Sequence, residues 1–229
     1  MVIRARIGVE SRPVSKVWLR VSLSFLVRGA CYALGLWLAL IAEGRAAPTL
    51  PDAVLDLVPY VPWVARYNYL LWLAAYLPVM SWFLKTDAER FVRYMYLSGG
   101  VAVLRGLCIL ATGLGPIYGP DHHAGMTFDQ RSQAFWHLVN PFGLFSPSAG
   151  AQIYLTKDLF FSGHTATTLL LLLYVWRYPV LRWWMLAGHV LVVGSVFLSH
   201  LHYTIDVIGA YAVTFSAFAL AEWSPRRET

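Results

Sequence analysis

Two histidines in the second half of this 229-residue sequence stand in patterns that suit acid–base or nucleophilic chemistry. The first lies in Ser162-Gly163-His164-Thr165, where Ser162 has the side chain of a helix cap and Gly163 would let the backbone approach a ligand closely. The free N–H groups and the dipole of a helix start favour an anion such as phosphate. His164 would then lie beside that anion as a proton donor. An ordinary helix start with an interfacial histidine is the competing interpretation.

The second histidine opens the segment His202-Tyr203-Thr204-Ile205-Asp206. His202 and Asp206 are four residues apart, a spacing that brings two side chains to one face of a helix. The carboxylate can accept one ring N–H, fix the tautomer and leave the other nitrogen free as a base or nucleophile. A polar pair that only satisfies itself, or one element of a proton relay, would have the same spacing.

Arg105 is a cation inside an apolar stretch, Leu104-Arg105-Gly106-Leu107. An ionised side chain in such a position is costly and needs a partner, which we expect to be either Asp206 or a bound phosphate. A helix start that binds anions, two histidines, an aspartate and a cation together suit phosphoryl transfer by way of a phosphohistidine.

The composition indicates the kind of scaffold that must position these groups. Hydrophobic residues make up 58% of the chain and charged residues 13%, whereas soluble domains carry about 25% charged residues. A soluble globular domain and a disordered chain are therefore excluded, and an integral membrane protein is predicted. The net charge of +6 is not gathered on one polar face, which argues against nucleic acid as a partner. Two cysteines cannot build a structural zinc site, and we predict no cofactor.

Six segments have about the length and apolar character that a membrane span needs. The predicted fold is an all-α, polytopic six-transmembrane-helix bundle, with residues 1–229 as one integral-membrane domain. The first segment is too long for the apolar region of a signal peptide, so we interpret it as a span. Residues 115–159 form the long outer loop. The predicted spans are Val21–Ile41, Tyr67–Leu84, Phe91–Leu114, Phe160–Trp176, Leu181–Ser199 and His202–Trp223.

The cations between these spans predict the orientation of the bundle, because cytoplasmic loops carry an excess of Lys and Arg. Cytoplasmic termini put both histidine segments at the outer face. Arg28 would snorkel to the cytoplasmic surface. The cytoplasmic face would carry Arg4, Arg6, Arg12, Lys16, Arg20, Lys85, Arg90, Arg93, Arg177, Arg182, Arg226 and Arg227, and the outer face only Arg45, Arg66, Arg131 and Lys157.

The outer loop is rich in aromatic residues, so we expect it to pack at the membrane interface. An interfacial belt is favoured over a cation–π site for a choline headgroup. His122 and His123 lie beside Asp121, but no further clear ligand accompanies them and no metal site is predicted. His189, in mid-span, is interpreted as a packing residue. The loop aromatics are Tyr118, Phe128, Phe135, Trp136, Phe142, Phe145 and Tyr154.

Residues 158–165, followed by a span and then residues 200–207, resemble the sphingomyelin synthase family, a branch of the type 2 phosphatidic acid phosphatase superfamily. Residues 104–112 are similar to the family's third-span motif, and the resemblance covers roughly residues 90–222. It implies a six-span bundle with an exoplasmic site. It also implies His202 as the nucleophile, Asp206 as its orienting group and His164 as the proton donor to the leaving alcohol. Phosphate oxygens would be held by Arg105 and by Ser162, Gly163 and Thr165 at the helix start.

The resemblance implies a membrane phospholipid as one substrate, with ceramide or diacylglycerol as the other lipid. We expect Lys157, Asp158, His200 and Tyr203 to contact substrate or to tune the site. The arginine-rich composition favours a bacterial inner membrane.

This sequence departs from the broader phosphatase pattern. The lysine that precedes Arg-Pro by seven residues is missing, and Ser195-Val196 stands where those enzymes have Ser-Arg. A site with fewer cations is better matched to a phosphodiester, with its single negative charge, than to a phosphomonoester. Headgroup transfer to a lipid hydroxyl or water is therefore favoured. A lipid phosphate phosphatase, a non-catalytic lipid-binding protein and a proton-coupled transporter are the alternatives.

Overall fold

The computed structural model describes residues 14–117, 121–140 and 155–222, and these form seven helices without a strand. An all-helical fold is therefore confirmed for this part of the chain. The helices are α1 (Val14–Glu43), α2 (Pro62–Thr86), α3 (Ala88–Ala111), α4 (Phe128–Val139), α5 (Gly163–Val175), α6 (Pro179–Leu198) and α7 (Thr204–Glu222).

Local sequence explains where several helices begin. Prolines open α2 and α6, where the missing N–H costs no hydrogen bond. Ser162 caps α5 by accepting the Thr165 N–H, as predicted. The sixth predicted span was placed to start at His202, but α7 starts at Thr204, so His202 precedes the helix and the predicted shared helical face is wrong.

A short helix inside the long outer loop was not predicted. Thr127 and Gln130 form a capping box at the start of α4, which is a recognisable local signature. Ala134 is fully buried and packs with Leu36 and Leu40 of α1. The aromatic segment of the loop is therefore ordered against the bundle over these residues. Four of the predicted loop aromatics, Tyr118, Phe142, Phe145 and Tyr154, lie outside the described residues.

The long helices alternate in direction, so their ends gather at two opposite ends of the bundle. The site end is defined here as the end where α5 and α7 begin. Its joining contacts are Val61 N–H to Leu198 O at 2.8 Å, Arg45 Nη2 to Thr112 O at 3.2 Å, and Ser162 N–H to Asp206 O at 3.0 Å. The other end carries the ion pairs Arg20–Glu89 and Arg93–Glu222 and a hydrogen bond from Tyr178 to Asp87.

The backbones of helices α1 and α3 approach one another closely. A Cβ on Gly106 would lie 2.8 Å from Gly35 Cα, and a Cβ on Gly35 would lie 2.6 Å from the Ala102 carbonyl oxygen. Small residues allow such contact between membrane helices. The contact brings Arg105, the neighbour of Gly106 on α3, against the site.

Four helices of the described residues are long and apolar enough to cross a membrane: 16–43, 88–111, 179–198 and 204–222. Helix α5 is apolar but has 13 residues, and α2 has 25 residues but is not in that group. The protein is an integral membrane helical bundle, while the predicted count of six spans stays a prediction. Five of the cations counted for the cytoplasmic face, Arg4, Arg6, Arg12, Arg226 and Arg227, lie outside the described residues.

Candidate active site

A cavity of about 440 Å³ opens between α1, α3 and α5 near the site end of the bundle. Its walls combine apolar side chains with a small set of polar ones, which is the usual character of a site for an amphipathic ligand. The polar groups include four of the residues singled out from the sequence: Arg105, Asp158, His164 and His202.

His164 and His202 face one another across this cavity. Their ring centroids lie 6.5 Å apart, and the planes are inclined at 62°. The two segments that carry them are joined by the hydrogen bond from Ser162 N–H to the Asp206 carbonyl oxygen. The starts of α5 and α7 are thus held side by side.

Asp206 lies beside the Nδ1 edge of His202. His202 Nδ1 is 3.5 Å from Asp206 Oδ2, and this oxygen also accepts the Tyr203 N–H at 2.9 Å. Asp206 is completely buried and His202 is 5% exposed. The Tyr203 N–H holds the carboxylate in place, so a small movement of the imidazole would complete an Nδ1–H bond. That bond would leave Nε2 as the free ring nitrogen.

The side-chain partner of Arg105 is Asp158, so of the two expected partners the ion pair with Asp206 is wrong. Arg105 Nη1 donates to Asp158 Oδ1 at 2.6 Å, and Nη2 donates to the Asp158 carbonyl at 2.8 Å. Nε donates to the Phe161 carbonyl at 2.5 Å. The arginine therefore ties α3 to the segment that leads into α5.

Gly163 leaves room for the guanidinium to pack against the backbone. A Cβ on Gly163 would lie 3.2 Å from Arg105 Nε and 3.3 Å from Cζ. We expected this glycine to admit a ligand, whereas in the structure the guanidinium itself occupies the space beside the backbone.

Asp52 is a site residue that the sequence analysis missed. Its carboxylate accepts the Thr204 N–H at 2.5 Å and the Thr204 hydroxyl at 2.8 Å, and so caps the first turn of α7 from a distant loop. Partial burial by itself would raise the pKa of Asp52, but the hydrogen bonds from Thr204, Leu55 and Val54 outweigh it and lower the pKa. The only local indication was an aspartate in a turn segment after Pro51.

Tyr203 supports the same turn from the other side. Its hydroxyl donates to the Gly115 carbonyl and accepts the Leu50 N–H, and the residue is 1% exposed. Burial raises the pKa of this phenol. Tyr203 therefore acts on the site through its loops, and its ring does not line the cavity.

Lys157 belongs to a buried polar cluster next to the cavity and does not line it. Its Nζ donates to the carbonyls of Glu43 and Arg45 at the end of α1 and pairs with Asp121. Glu43 accepts the N–H groups of Thr156 and Lys157. This cluster anchors the chain just before Asp158.

Apart from His164 and His202, no described histidine lines the cavity. His200 Nε2 contacts the Val58 carbonyl at 2.8 Å, so it holds a loop. His189 contacts the hydroxyls of Thr168 and Tyr211, which confirms a satisfied packing histidine. His123 contacts Glu43. Within residues 14–117, 121–140 and 155–222, no group of three or more His, Cys, Asp or Glu side chains could hold a metal ion.

Arg28 also lines the cavity, contrary to the predicted snorkelling toward the cytoplasm. Its Nε donates to Ser98 Oγ at 3.0 Å, and its guanidinium lies 5.7 Å from the centre of the Tyr32 ring. The contact turns the side chain inward against α3. The cavity wall therefore contains two arginines. Arg105 lies at the level of the two histidine segments, and Arg28 lies deeper in the bundle.

The segment that carries both histidines matches a known protein family. Residues 157–223, which include α5, α6 and α7, match the family model described as PAP2 superfamily C-terminal. The predicted resemblance to the sphingomyelin synthase family is confirmed. The human phosphatidylcholine:ceramide cholinephosphotransferase 2 is 29% identical over 187 residues, which covers 73% of this chain and 48% of the relative.

Two further relatives have the same character. The phosphatidylcholine:ceramide cholinephosphotransferase 1 of Caenorhabditis elegans is 27% identical over 176 residues, covering 72% of this chain and 37% of the relative. The human sphingomyelin synthase-related protein 1 is 26% identical over 189 residues, covering 78% of this chain and 44% of the relative. The chain spans about half the length, or less, of the curated relatives it matches. These relatives support an enzyme of the lipid phosphotransferase or phosphatase kind.

Proposed function

We propose that this chain transfers the phospho-headgroup of a membrane phospholipid, through a phosphohistidine, to a lipid hydroxyl such as that of ceramide, or to water, and releases diacylglycerol. The observation that carries the proposal is the pair of imidazoles at one cavity, whose ring centres lie 6.5 Å apart. The buried carboxylate of Asp206 lies beside one of them, His202. The cholinephosphotransferase relatives favour a choline headgroup and a ceramide acceptor.

The geometry supports a reaction in two steps, each of which balances in atoms. His202 Nε2 attacks phosphorus, and an N–P bond forms while the P–O bond to diacylglycerol breaks. His164 gives its proton to the leaving oxygen. In the second half, the acceptor hydroxyl returns a proton to His164 and attacks phosphorus, which frees His202. Asp206 stabilises the imidazolium character that His202 acquires when it attacks.

The phosphate would lie between the imidazoles and the Ser162–Thr165 helix start. The first-turn N–H groups there and the helix dipole favour its charge. From its place against Gly163, Arg105 would contribute an electrostatic field at the phosphate and help to position it. Because Arg105 is already paired with Asp158, the two together bring no net charge to the site. This balance supports a phosphodiester with one negative charge over a phosphomonoester with nearly two.

A lipid phosphate phosphatase is the second candidate within catalysis, and one feature disfavours it. At the position where those enzymes carry an arginine before the nucleophilic histidine, this chain has Val196, which is completely buried. A dianionic substrate would lack a compensating cation there.

We also propose that six helices cross the membrane, with α2 and α5 joining the four apolar ones, and that the site end is exoplasmic. Described cations such as Arg20, Arg90 and Arg93 lie at the opposite end of the bundle, which supports cytoplasmic termini. A bacterial inner membrane is the proposed location.

The test uses the purified chain in mixed lipid vesicles that contain phospholipids labelled in the headgroup, with and without ceramide. His202→Ala is compared with His122→Ala, an exchange of an exposed histidine in the outer loop. Headgroup on ceramide that disappears in His202→Ala supports transfer. Ceramide-independent release of phosphorylated headgroup supports hydrolysis. Turnover of phosphatidic acid alone would restore the phosphatase, and no His202-dependent product from any lipid would contradict catalysis.

The intermediate has its own test. Phospholipid labelled with ³²P should label the protein in a form that is stable to alkali and lost in acid, as expected of a phosphohistidine. The label should be absent from His202→Ala. Label that persists in this variant would contradict His202 as the nucleophile.

A further inference from the structure

Arg28 is a cation at the middle of the bundle that the proposed chemistry does not use. It lies in the middle of α1 (Val14–Glu43), and its partner Ser98 is ten residues into α3, about 15 Å along that helix. The same side chain lines the cavity that holds His164 and His202. An ionised group at this depth is costly in a membrane, and its presence marks a functional site.

The guanidinium has hydrogen-bonding capacity to spare. An arginine carries five N–H donors, and Ser98 Oγ takes the one on Nε. The Tyr32 ring attracts the charge through its face, with the guanidinium 5.7 Å from the ring centre. Among the described residues no Asp or Glu side chain forms an ion pair with Arg28, and Asp158 is paired with Arg105. The donors on Nη1 and Nη2 are therefore left for a ligand in the cavity.

The position of Arg28 fixes which part of a lipid would reach it. Ser98 and Arg105 are seven residues apart on α3, so the two arginines lie at levels about 10 Å apart. A lipid whose phosphate lies beside Arg105 and the histidines would extend its backbone toward Arg28. The carbonyl oxygens of that backbone are the polar acceptors nearest to the phosphate. Apolar residues such as Leu36, Ala39 and Leu170 line the same cavity and suit acyl chains.

We propose that Arg28 donates hydrogen bonds to a backbone carbonyl oxygen, of an ester or an amide, in the lipid that occupies this cavity. The cavity then selects acylated lipids over ether-linked ones. Ser98 is a positioning residue, because it fixes the Nε side of the guanidinium and turns the Nη side toward the ligand. The identity of the ligand as a lipid rests on the proposed function.

The test measures binding of neutral lipids, which needs no phosphorus chemistry. Tritiated dioleoylglycerol, its diether analogue and ceramide are each bound to the purified full chain in micelles, and the bound lipid is measured by scintillation proximity. We expect the wild type to bind the diester at least tenfold more tightly than the diether, the effect of one hydrogen bond to a charged group. In Arg28→Met this preference should fall to within about twofold.

Two further variants keep the result interpretable. Arg66→Met exchanges an exposed arginine at the start of α2 and should leave all three affinities unchanged. Ser98→Ala keeps the charge and should reduce the diester preference in part, which tests the proposal even if Arg28→Met does not fold. A loss of ceramide affinity in Arg28→Met would assign the contact to the amide of the acceptor lipid. A loss for dioleoylglycerol alone would assign it to the ester of the donor lipid.

Equal affinity of the wild type for diester and diether, together with a ceramide affinity that Arg28→Met leaves unchanged, would overturn the proposal. An equal loss of diester and diether affinity in Arg28→Met, with ceramide affinity unchanged, would also overturn it. Because nothing turns over in this assay, the absence of a His202-dependent product in vesicles would not change its outcome. Failure of the carbonyl contact would likewise leave the transfer assay unaffected. The two proposals can therefore fail separately.

Discussion

Replacing Asp52 by alanine should separate the position of the nucleophile from its chemistry. Asp52 touches neither histidine, yet its carboxylate holds both the N–H and the hydroxyl of Thr204. Thr204 follows His202 by two residues and begins α7. Removal of the carboxylate would take away both hydrogen bonds that hold the turn next to His202.

The size of the effect follows from the lost hydrogen bonds. A hydrogen bond to a charged group is worth about 1.5–3 kcal/mol, and loss of a helix cap costs about 0.5–2 kcal/mol. Asp52 is partly exposed, so water replaces some of the lost contact. We expect the free energy of unfolding to fall by about 2 kcal/mol. Displacement of a reacting group by about 1 Å can cost roughly a hundredfold in rate, so kcat should fall about 10- to 100-fold while KM changes little.

The assay is headgroup transfer or release in vesicles, with kcat and KM determined separately, together with unfolding of the purified chain in denaturant. Asp56→Ala is the matched control, because Asp56 lies in the same loop with an exposed side chain. The explanation would be refuted if Asp52→Ala lost stability but kept kcat within about twofold of the wild type. Asp52 would then be only a structural cap.

Four other predictions concern the residues around the site. The pKa of Asp52 is lowered in the folded protein, so its stabilising contribution is complete above the ordinary carboxyl pKa of about 4. This contribution to the free energy of unfolding should be lost as the pH falls through the lowered pKa. Asp52→Asn should flatten the acidic part of a profile of stability against pH. Gly163→Ala should cost about 1–3 kcal/mol of unfolding free energy, because the added Cβ meets Arg105, whereas Gly100→Ala meets nothing within 4 Å and should cost none. Asp158→Ala should cost about 3 kcal/mol by leaving Arg105 unpaired, and the double variant with Arg105→Met should recover much of that stability without recovering activity. Glu43→Gln should cost about 1–3 kcal/mol, since an amide cannot accept all the N–H groups that the buried carboxylate accepts; an unchanged denaturation midpoint would contradict this.

Local sequence was sufficient for much of the scaffold. The apolar stretches predicted the long helices because a helix that lies in a membrane must be apolar along its length. Ser162 predicted the start of α5 because a cap acts on N–H groups two or three residues away. The capping box of Thr127 and Gln130 held equivalent information for α4, although the high polarity of the surrounding loop concealed it.

Local spacing was enough to single out the groups proposed to do the chemistry: His164 lies in the first turn after the Ser162 cap, and His202 lies four residues before Asp206. The tertiary structure decided what those groups contact. Arg105 meets Asp158 across 53 residues, and Asp52 meets Thr204 across 152. Arg28 turns inward to Ser98 across 70. Such pairs depend on how the helices cross, and helix crossing is set by contacts such as that between Gly35 and Gly106, which no local pattern encodes.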